Sequence, residues 1–152
     1  DNNNEEQYPI MGCYGIGIGR LAASVCEAHH DEYGPIWPIS IAPWEVHICC
    51  LRVDDAECKE YADNLYKSLQ RKQVEVIYDD RDVRPGAMFS DADLLGVPVR
   101  VVVSPRNMKE NQVEIVTRDK RYKFMADKDQ AEEKILELIG TLKNEIMEKV
   151  PQ

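Results

Sequence analysis

The stretch VEVIYDDRDVRPGAMFSDADLLGVPVRVVV, residues 74–103, decides the fold of this chain. It begins with a β-prone run, Val74–Tyr78, and ends with a β-branched run, Val99–Val103, that shows no useful period. A run of the second kind is typical of a strand buried on both faces. Between them, Pro85–Leu95 starts with a proline suited to the first turn of a helix and is followed by a glycine that would end it. The stretch therefore predicts a β-α-β unit with parallel strands and a right-handed crossover.

The segments on either side repeat and complete this unit. Upstream, Val46–Val53 is apolar and β-prone, and Asp54-Asp55 can cap a following helix whose apolar residues recur every three or four positions. Downstream, Gln112–Thr117 and Arg121–Met125 flank a turn and predict a β-hairpin. The final helix has an apolar stripe formed by Ile135, Leu138, Ile139, Leu142, Ile146 and Val150. We therefore predict an α/β fold with a five-stranded mixed sheet and three helices.

A glycine-rich segment, MGCYGIGIGR at residues 11–20, precedes this unit. Its glycines alternate with apolar residues at period two, which predicts a strand over 9–19, followed by a helix over 20–31. Glycine in a strand marks close approach by a ligand or by another backbone. Two interpretations therefore stay open: one wall of a nucleotide site, or a strand packed tightly beneath a helix. The spacing differs from the dinucleotide fingerprint G-x-G-x-x-G, and the chain has no G-K-[ST] phosphate loop.

A proline-containing connector, residues 34–45, separates the two parts. Gly34-Pro35 is expected to break regular structure, and two further prolines keep the segment extended. We therefore predict a domain boundary here, with residues 1–43 in one unit and residues 44–152 in the other. The first seven residues are polar or acidic and do not resemble a signal peptide, so we expect them to come from the middle of a longer protein.

The composition favours a soluble protein with reduced thiols. Hydrophobic residues make up 43% and charged residues 31% of the 152, which suits a sizeable core beneath a charged surface. No apolar run approaches the roughly 20 residues that span a bilayer. The five cysteines lack C-x-x-C spacing and the histidines lack metal-ligand partners. We therefore expect free cysteines, a cytoplasmic location and no metal site.

The charge distribution bears on nucleic-acid binding. The net charge of −9 argues against non-specific attraction, but residues 81–123 contain nine Lys and Arg against six Asp and Glu, a local balance of +3. The loop after the first β-prone run lies where open α/β sheets bind ligands. Carboxylates there can accept hydrogen bonds from base amino groups, and arginines can donate to guanine. The competing interpretation is a solvated, salt-bridged loop that closes the sheet. The loop residues concerned are Asp79, Asp80, Arg81 and Arg84.

Three stretches resemble class II aminoacyl-tRNA synthetases, in the form seen in prolyl-tRNA synthetases. Gly12–Arg20 is similar to motif 3 of that class. Residues 34–47, GPIWPISIAPWEVH, resemble the passage from the catalytic to the anticodon-binding domain, and residues 78–98 resemble the anticodon-binding core. The match keeps its order over about residues 9–125. The chain thus resembles the C-terminal piece of a bacterial-type prolyl-tRNA synthetase.

The resemblance implies a nucleotide role for the first part of the chain. Arg20 would stack on the adenine of ATP, and the neighbouring glycines would leave room for it. The residues implied are Gly15, Gly17, Gly19 and Arg20. The parent enzyme would use ATP and Mg²⁺ to activate proline and would then charge its tRNA, as a homodimer. Because motifs 1 and 2 are absent, we expect no catalytic residue and no bound cofactor in this chain alone, and the parent's catalytic domain is an expected partner.

For the second part, the resemblance implies recognition of the anticodon stem-loop of a proline tRNA, whose two shared guanines suit the residue mix of the loop. The residues implied are Asp79, Asp80, Arg81 and Arg84. Arg118–Lys123 of the hairpin is the alternative surface. Many relatives carry Glu where this chain has Val83, and Phe89 is expected to lie in the core.

Other functions are weighed against this one. No membrane or DNA partner is expected. A stand-alone accessory or regulatory RNA-binding protein, reusing the anticodon-binding fold without ligase activity, is the first alternative. A small-molecule α/β binding domain is the second, and it lacks a phosphate loop.

Overall fold

The structure, a computed structural model, describes residues 2–150. Its helices are α1 (Ile18–Ala28), α2 (Ala56–Arg71), α3 (Pro85–Leu95), α4 (Pro105–Lys109) and α5 (Ala131–Met147). Its strands are β1 (His30–Asp31), β2 (Gly34–Pro35), β3 (Val46–Cys50), β4 (Val76–Asp79), β5 (Val99–Val103), β6 (Gln112–Thr117) and β7 (Lys123–Asp127). No helix among the described residues is long and apolar enough to cross a membrane.

One five-stranded sheet, in the order β4-β3-β5-β6-β7, organises the second part of the chain. β3 lies between β4 and β5 and is parallel to both, whereas β6 pairs antiparallel with β5 and with β7. The predicted α/β class and the mixed five-stranded sheet are confirmed. Because β3 has a neighbouring strand at each edge and helices over both of its faces, all of its residues from Val46 to Cys50 are buried.

Two apolar clusters hold the helices against opposite faces of the sheet. On one face, α2 and α5 cover the larger cluster, which includes residues from all five strands. On the other face, α3 contributes Met88 and Ala92, which pack against Cys49. Since neighbouring residues of a strand point to opposite faces, His47 of β3 and Arg100 of β5 also lie on the α3 side. The charged side chains described below gather on that side.

Local signals in the sequence determine where the helices begin and end. Asp55 caps α2 by accepting a hydrogen bond from the Cys58 amide at 3.1 Å. Gly96 ends α3 in the left-handed region, with φ of 72°. α4 is a fourth helix in this part, so the predicted number of three is wrong. Ser104 caps α4 by accepting from the Asn107 amide at 3.3 Å, but a helix of 5 residues is too short to show an apolar period.

The predicted hairpin is confirmed as β6 and β7, but its second strand begins two residues later than expected, at Lys123. The turn between β6 and β7 is longer than predicted because hydrogen bonds within the turn hold residues 118–122 outside the strands. The Thr117 amide donates to the Tyr122 carbonyl at 2.9 Å, and the Asp119 carboxylate accepts from Arg121. Arg121 therefore belongs to the turn.

The strand predicted over residues 9–19 is wrong. Residues 5–17 have no regular structure, and α1 begins at Ile18. No strand within residues 2–150 pairs with this segment, and a strand without partners is not stable in water. Apolar side chains such as Ile10 and Tyr14 are fully exposed. The predicted helix that follows is present as α1, although it ends at Ala28.

The connector folds onto the second part of the chain. β1 and β2 form a small antiparallel hairpin where the sequence predicts a break at Gly34, and the Trp37 amide donates to the Gly96 carbonyl at 3.2 Å. Two glycines permit this approach. A Cβ on Gly34, whose φ is +140°, would lie 3.0 Å from the Asp93 carbonyl oxygen, and a Cβ on Gly96 would collide with the Pro35 carbonyl. The start of the connector is therefore fixed against the C-terminal end of α3.

Candidate functional site

The loop that follows β4 is anchored by a paired arginine. Arg81 donates from Nε and Nη2 to the two carboxylate oxygens of Asp79, at 2.9 Å and 2.7 Å. Its Nη2 also donates to Asp91 of α3 at 2.8 Å. Asp79 is buried at the end of β4, and the hydrogen bonds from Arg81 hold the pKa of its carboxyl below the usual range. Arg81 thus connects the edge of the sheet to α3, and the carboxylates that hold it are those of Asp79 and Asp91.

The other residues predicted for this loop are exposed. Asp80 Oδ2 lies 3.9 Å from Lys59 Nζ, a long and solvated contact. Arg84 stands at the N-cap of α3 with extended backbone, and its guanidinium makes no hydrogen bond or ion pair within residues 2–150. Val83, by contrast, packs against the α3 cluster. The structure therefore brings Asp79, Arg81 and Arg84 together at one sheet edge, with only Arg84 uncommitted.

A second charged cluster, missed by the sequence analysis, lies on the other side of α3. Arg100 Nη1 donates to Asp93 Oδ1 at 2.8 Å, and its guanidinium carbon lies 5.1 Å from the Phe89 ring centroid. The Arg100 Nε is buried and has no hydrogen-bond partner among the described residues. We call Phe89, Asp93 and Arg100 the α3 triad. The sequence signal that could have revealed this cluster is an arginine inside the otherwise apolar run Val99–Val103. Phe89, which was expected to lie in the core, is only half-buried.

Beneath α3, a buried histidine lacks partners. His47 is 1% exposed, and neither ring nitrogen has a hydrogen-bond partner among residues 2–150. Its neighbours across the sheet are Ile77 and Arg100. Burial lowers the pKa of His47 to about 4, so the ring is neutral at pH 7. It forms part of the lining of an open groove of about 360 Å³ between β4 and α3, whose apolar wall includes Leu94 and Leu95.

The basic hairpin is not a free cationic surface. The Arg118 side chain is 2% exposed and ion-paired with Asp31. Arg121 is paired with Asp119 and with Glu145 of α5. The remaining cations are Lys123, 3.4 Å from Glu114, and Lys120, which lies over the Tyr33 ring. These partners neutralise most of the local positive charge, and Arg118 is inaccessible to RNA.

The glycine segment forms one side of a wide, shallow concavity. It is lined by Gly15, Ile16, Gly17, Arg20, Leu21 and Ser24. A Cβ on Gly15 or Gly19 would meet no atom within 4 Å, so no described residue faces these glycines. A nucleotide held here would have a single cation and no opposite wall. The described residues thus supply part of a nucleotide site and not an enclosed one, and none of them form a group of three or more His, Cys, Asp or Glu placed to hold a metal ion.

Comparisons with known proteins agree with this geometry. A family model described as an anticodon binding domain matches residues 45–138. The chain is 45% identical over 136 residues to a proline–tRNA ligase of Dehalococcoides mccartyi, covering 90% of this chain and 23% of the relative. It is 42% identical over 151 residues to a proline–tRNA ligase of Thermoanaerobacter sp., covering 99% and 25%.

The solved structure of prolyl-tRNA synthetase from Cryptosporidium parvum, complexed with L-proline and AMP, is similar to this chain with a TM-score of 0.73 and 28% identity. The similarity covers 86% of this chain and 28% of that one.

These findings also separate the interpretations of the sequence. This chain spans about a quarter of the length of the curated relatives it matches. The relatives named above are all proline–tRNA ligases, so the accessory-protein alternative gains no support from them. The family model begins at the residue before β3 and ends within α5, over the sheet and the helices that carry both charged clusters. The chain belongs to the anticodon-binding domain family, in the form found in proline–tRNA ligases.

Proposed function

We propose that this chain binds the anticodon loop of a proline tRNA, as the anticodon-binding part of a longer, cytoplasmic proline–tRNA ligase. The observation that carries the proposal is Arg84, an exposed arginine without a partner among the described residues, at the N-terminus of α3 and beside the paired Arg81. Of the eight other Lys and Arg in the basic region, residues 81–123, five are ion-paired with carboxylates. Arg106, Lys109 and Lys120 make no ion pair within residues 2–150 either, but they lie outside the loop after β4, so we assign the local contact to Arg84.

The two clusters around α3 match the chemistry of guanine. The guanine edge offers acceptors at O6 and N7, which suit a guanidinium, and donors at N1 and N2, which suit a carboxylate. The α3 triad presents both kinds of group, and the Phe89 ring backs the Arg100 guanidinium. Arg81 is already bound to Asp79 and Asp91, so its main role is to hold the loop in place. We assign base contact to Arg84 and the α3 triad, with Asp79 and Asp80 shaping the loop.

The remaining parts of the proposal concern the parent enzyme. Residues 1–43 would be the end of its catalytic domain and residues 44–152 its anticodon-binding domain. Gly15, Gly17, Gly19 and Arg20 would contribute one wall of the ATP site, supported by the open glycine backbone and the exposed Arg20. The parent would activate proline with ATP and Mg²⁺ and transfer it to the tRNA, acting as a homodimer. No catalytic step is assigned to this chain alone.

The test is a binding titration with an anticodon stem-loop that carries the two guanines and with a second stem-loop in which adenines replace them. Arg84→Ala should weaken binding to the first RNA by about 1–3 kcal/mol if Arg84 reads a guanine edge, with a smaller loss on the second. The unfolding free energy of Arg84→Ala should differ from that of wild type by less than about 0.5 kcal/mol, because the Arg84 side chain has no partner among the described residues.

Two further variants complete the experiment. Arg71→Ala is the matched control, since Arg71 ends α2 shortly before β4 begins, whereas the Asp79–Arg84 loop follows the far end of β4, and Arg71 makes no ion pair within the described residues. Its affinity should match wild type. Equal weakening on both RNAs, with a shallower salt dependence, would reassign Arg84 to a phosphate. Unchanged affinity in both Arg84→Ala and Arg81→Ala would overturn the proposed interface.

A further inference from the structure

Arg118 has a fully engaged guanidinium that joins three parts of the chain. Its two terminal nitrogens donate to both carboxylate oxygens of Asp31 in β1, each at 2.7 Å. Its Nε donates to the backbone carbonyl of Asp93 at 2.9 Å, and Nη2 reaches the Gly34 carbonyl at 3.3 Å. These bonds connect the end of β6, the connector hairpin and the last turn of α3. The side chain is almost completely buried, so its charge depends on protein partners.

The Asp93 carboxylate lies between two arginines. Its Oδ1 accepts from Arg100 Nη1 at 2.8 Å and lies 3.9 Å from Arg118 Nε. Asp31 neutralises Arg118, so the Asp93 carboxylate remains with Arg100 in the α3 triad. The bonds from Arg118 also hold the pKa of the Asp31 carboxyl far below the usual range, so Asp31 stays charged at neutral pH.

We propose that Asp31 and Arg118 are positioning residues for anticodon reading. By satisfying Arg118, Asp31 keeps the Asp93 carboxylate directed to Arg100, and so sets the orientation of the α3 triad toward a guanine. The inference rests on the proposed function and extends it to Asp31, which lies outside residues 45–138, the part that the family model matches. Recognition by the domain then depends on the docked connector as well as on the domain itself.

The physical consequence appears when Asp31 loses its charge. The substitution Asp31→Asn would leave a buried guanidinium without a carboxylate, which is costly. The nearest remaining carboxylate is Asp93, 3.9 Å from Arg118 Nε. We expect it to turn toward Arg118 and to release Arg100, whose orientation would then be set only by the Phe89 ring.

The experiment measures discrimination, the ratio of the dissociation constants for the adenine-replaced and the guanine-containing stem-loops. Asp31→Asn should lower this ratio by about tenfold, the loss of one good base contact. Asp129→Asn, which neutralises an exposed carboxylate after β7, is the matched control and should leave the ratio unchanged. A urea unfolding curve for each variant confirms that the chains compared are folded.

A second variant separates positioning from simple destabilisation. In Asp31→Asn combined with Arg118→Met, no buried charge remains to attract Asp93, and replacing a buried ion pair by apolar groups is often neutral for stability. Most of the lost discrimination should therefore return. A double variant that discriminates as poorly as Asp31→Asn would overturn the inference.

The discrimination measured for the wild type distinguishes a failure of the positioning role from a failure of guanine reading by the α3 triad. Wild type that discriminates, together with Asp31→Asn that discriminates equally well, would overturn the positioning role and leave the proposed function standing. Wild type that binds both RNAs equally would overturn guanine reading by the triad, and the positioning role with it.

Discussion

Replacing His47 by leucine should remove most of the acid sensitivity of this chain between about pH 7.5 and about pH 5. His47 is buried beneath α3, and burial lowers the pKa of its ring to about 4 from the usual 6.5. The charged groups that face it are Asp79 of β4, which raises the pKa, and Arg100 and Arg81, which lower it. Asp91 of α3 lines the same groove and is ion-paired with Arg81.

The sign of the effect follows from the two pKa values. Between about pH 6.5 and about pH 4 the unfolded chain binds a proton at His47 and the folded chain does not, so the free energy of unfolding falls as the pH is lowered. Over the interval from about pH 7.5 to about pH 5, these values give a loss of about 2 kcal/mol. Carboxyls whose pKa is lowered by ion pairing, such as that of Asp79, add their own loss mainly below about pH 5.

The assay is urea unfolding, followed by tryptophan fluorescence at several pH values. Wild type should lose about 2 kcal/mol over this interval, and His47→Leu should be nearly flat. Leucine costs no hydrogen bond, because neither nitrogen of His47 has a partner among the described residues. His30→Leu is the matched control at an exposed histidine and should keep the slope. A wild type with flat stability, or a His47→Leu variant with the wild-type slope, would refute the reasoning.

Three further predictions concern thiols, local stability and catalysis. Iodoacetamide should label exposed Cys13 quickly and Cys49 very slowly in the folded chain, because burial raises the pKa of Cys49 to about 12; peptide mass spectrometry measures both rates. Amides of residues 10–17 should exchange hydrogen much faster than those of Val99–Val103, since the segment has no regular structure; equal protection would contradict this. The purified chain should show no proline-dependent ATP–pyrophosphate exchange above background, because Arg20 is its one cation in the proposed ATP wall.

The sequence predicted the second part of the chain well because its signals are local and mutually consistent. A β-branched run at Val99–Val103, a helix bounded by a proline and Gly96, and the capping Asp55 each specify one element with little dependence on distant residues. The register of the strands then follows from which face carries apolar side chains. α4 was not predicted because a single capped turn is too short to show a periodic apolar pattern.

The glycine segment failed for the opposite reason. Period-two alternation specifies a strand only when a neighbouring strand supplies hydrogen bonds, and nothing within residues 2–150 pairs with residues 9–17. Glycine also adopts irregular backbone conformations without steric strain, so the alternating pattern alone could not distinguish a strand from an irregular segment. The helix that follows does not depend on a partner strand, and it forms as α1 close to where it was expected.

Only part of the candidate site could be predicted from the sequence. The loop at Asp79–Arg84 could be placed because the carboxyl end of a parallel strand is a general ligand position. The sequence could not show which arginine is free, since that depends on the ion pair between Arg81 of the loop and Asp91 of α3. The α3 triad and the bond between Arg118 and Asp31, which are 87 positions apart, follow from tertiary packing alone.

If the proposed function holds, this acidic chain must obtain its selectivity for RNA from a few positioned groups. The net charge of −9 repels polyanions at long range, and most cations of the basic region are held by carboxylates. Among the described cations of residues 81–123 that lack an ion pair, Arg84 is the one in the loop after β4, and the proposed contact combines it with an arginine–carboxylate pair backed by Phe89. Such a pair adds little to the general attraction between protein and RNA. It forms hydrogen bonds with the correct base, whereas with a wrong base its buried polar groups stay without a partner. The docked connector supports the same selectivity in our proposal. Asp31 satisfies Arg118, and discrimination between bases is lost if the Asp93 carboxylate can leave Arg100 for Arg118.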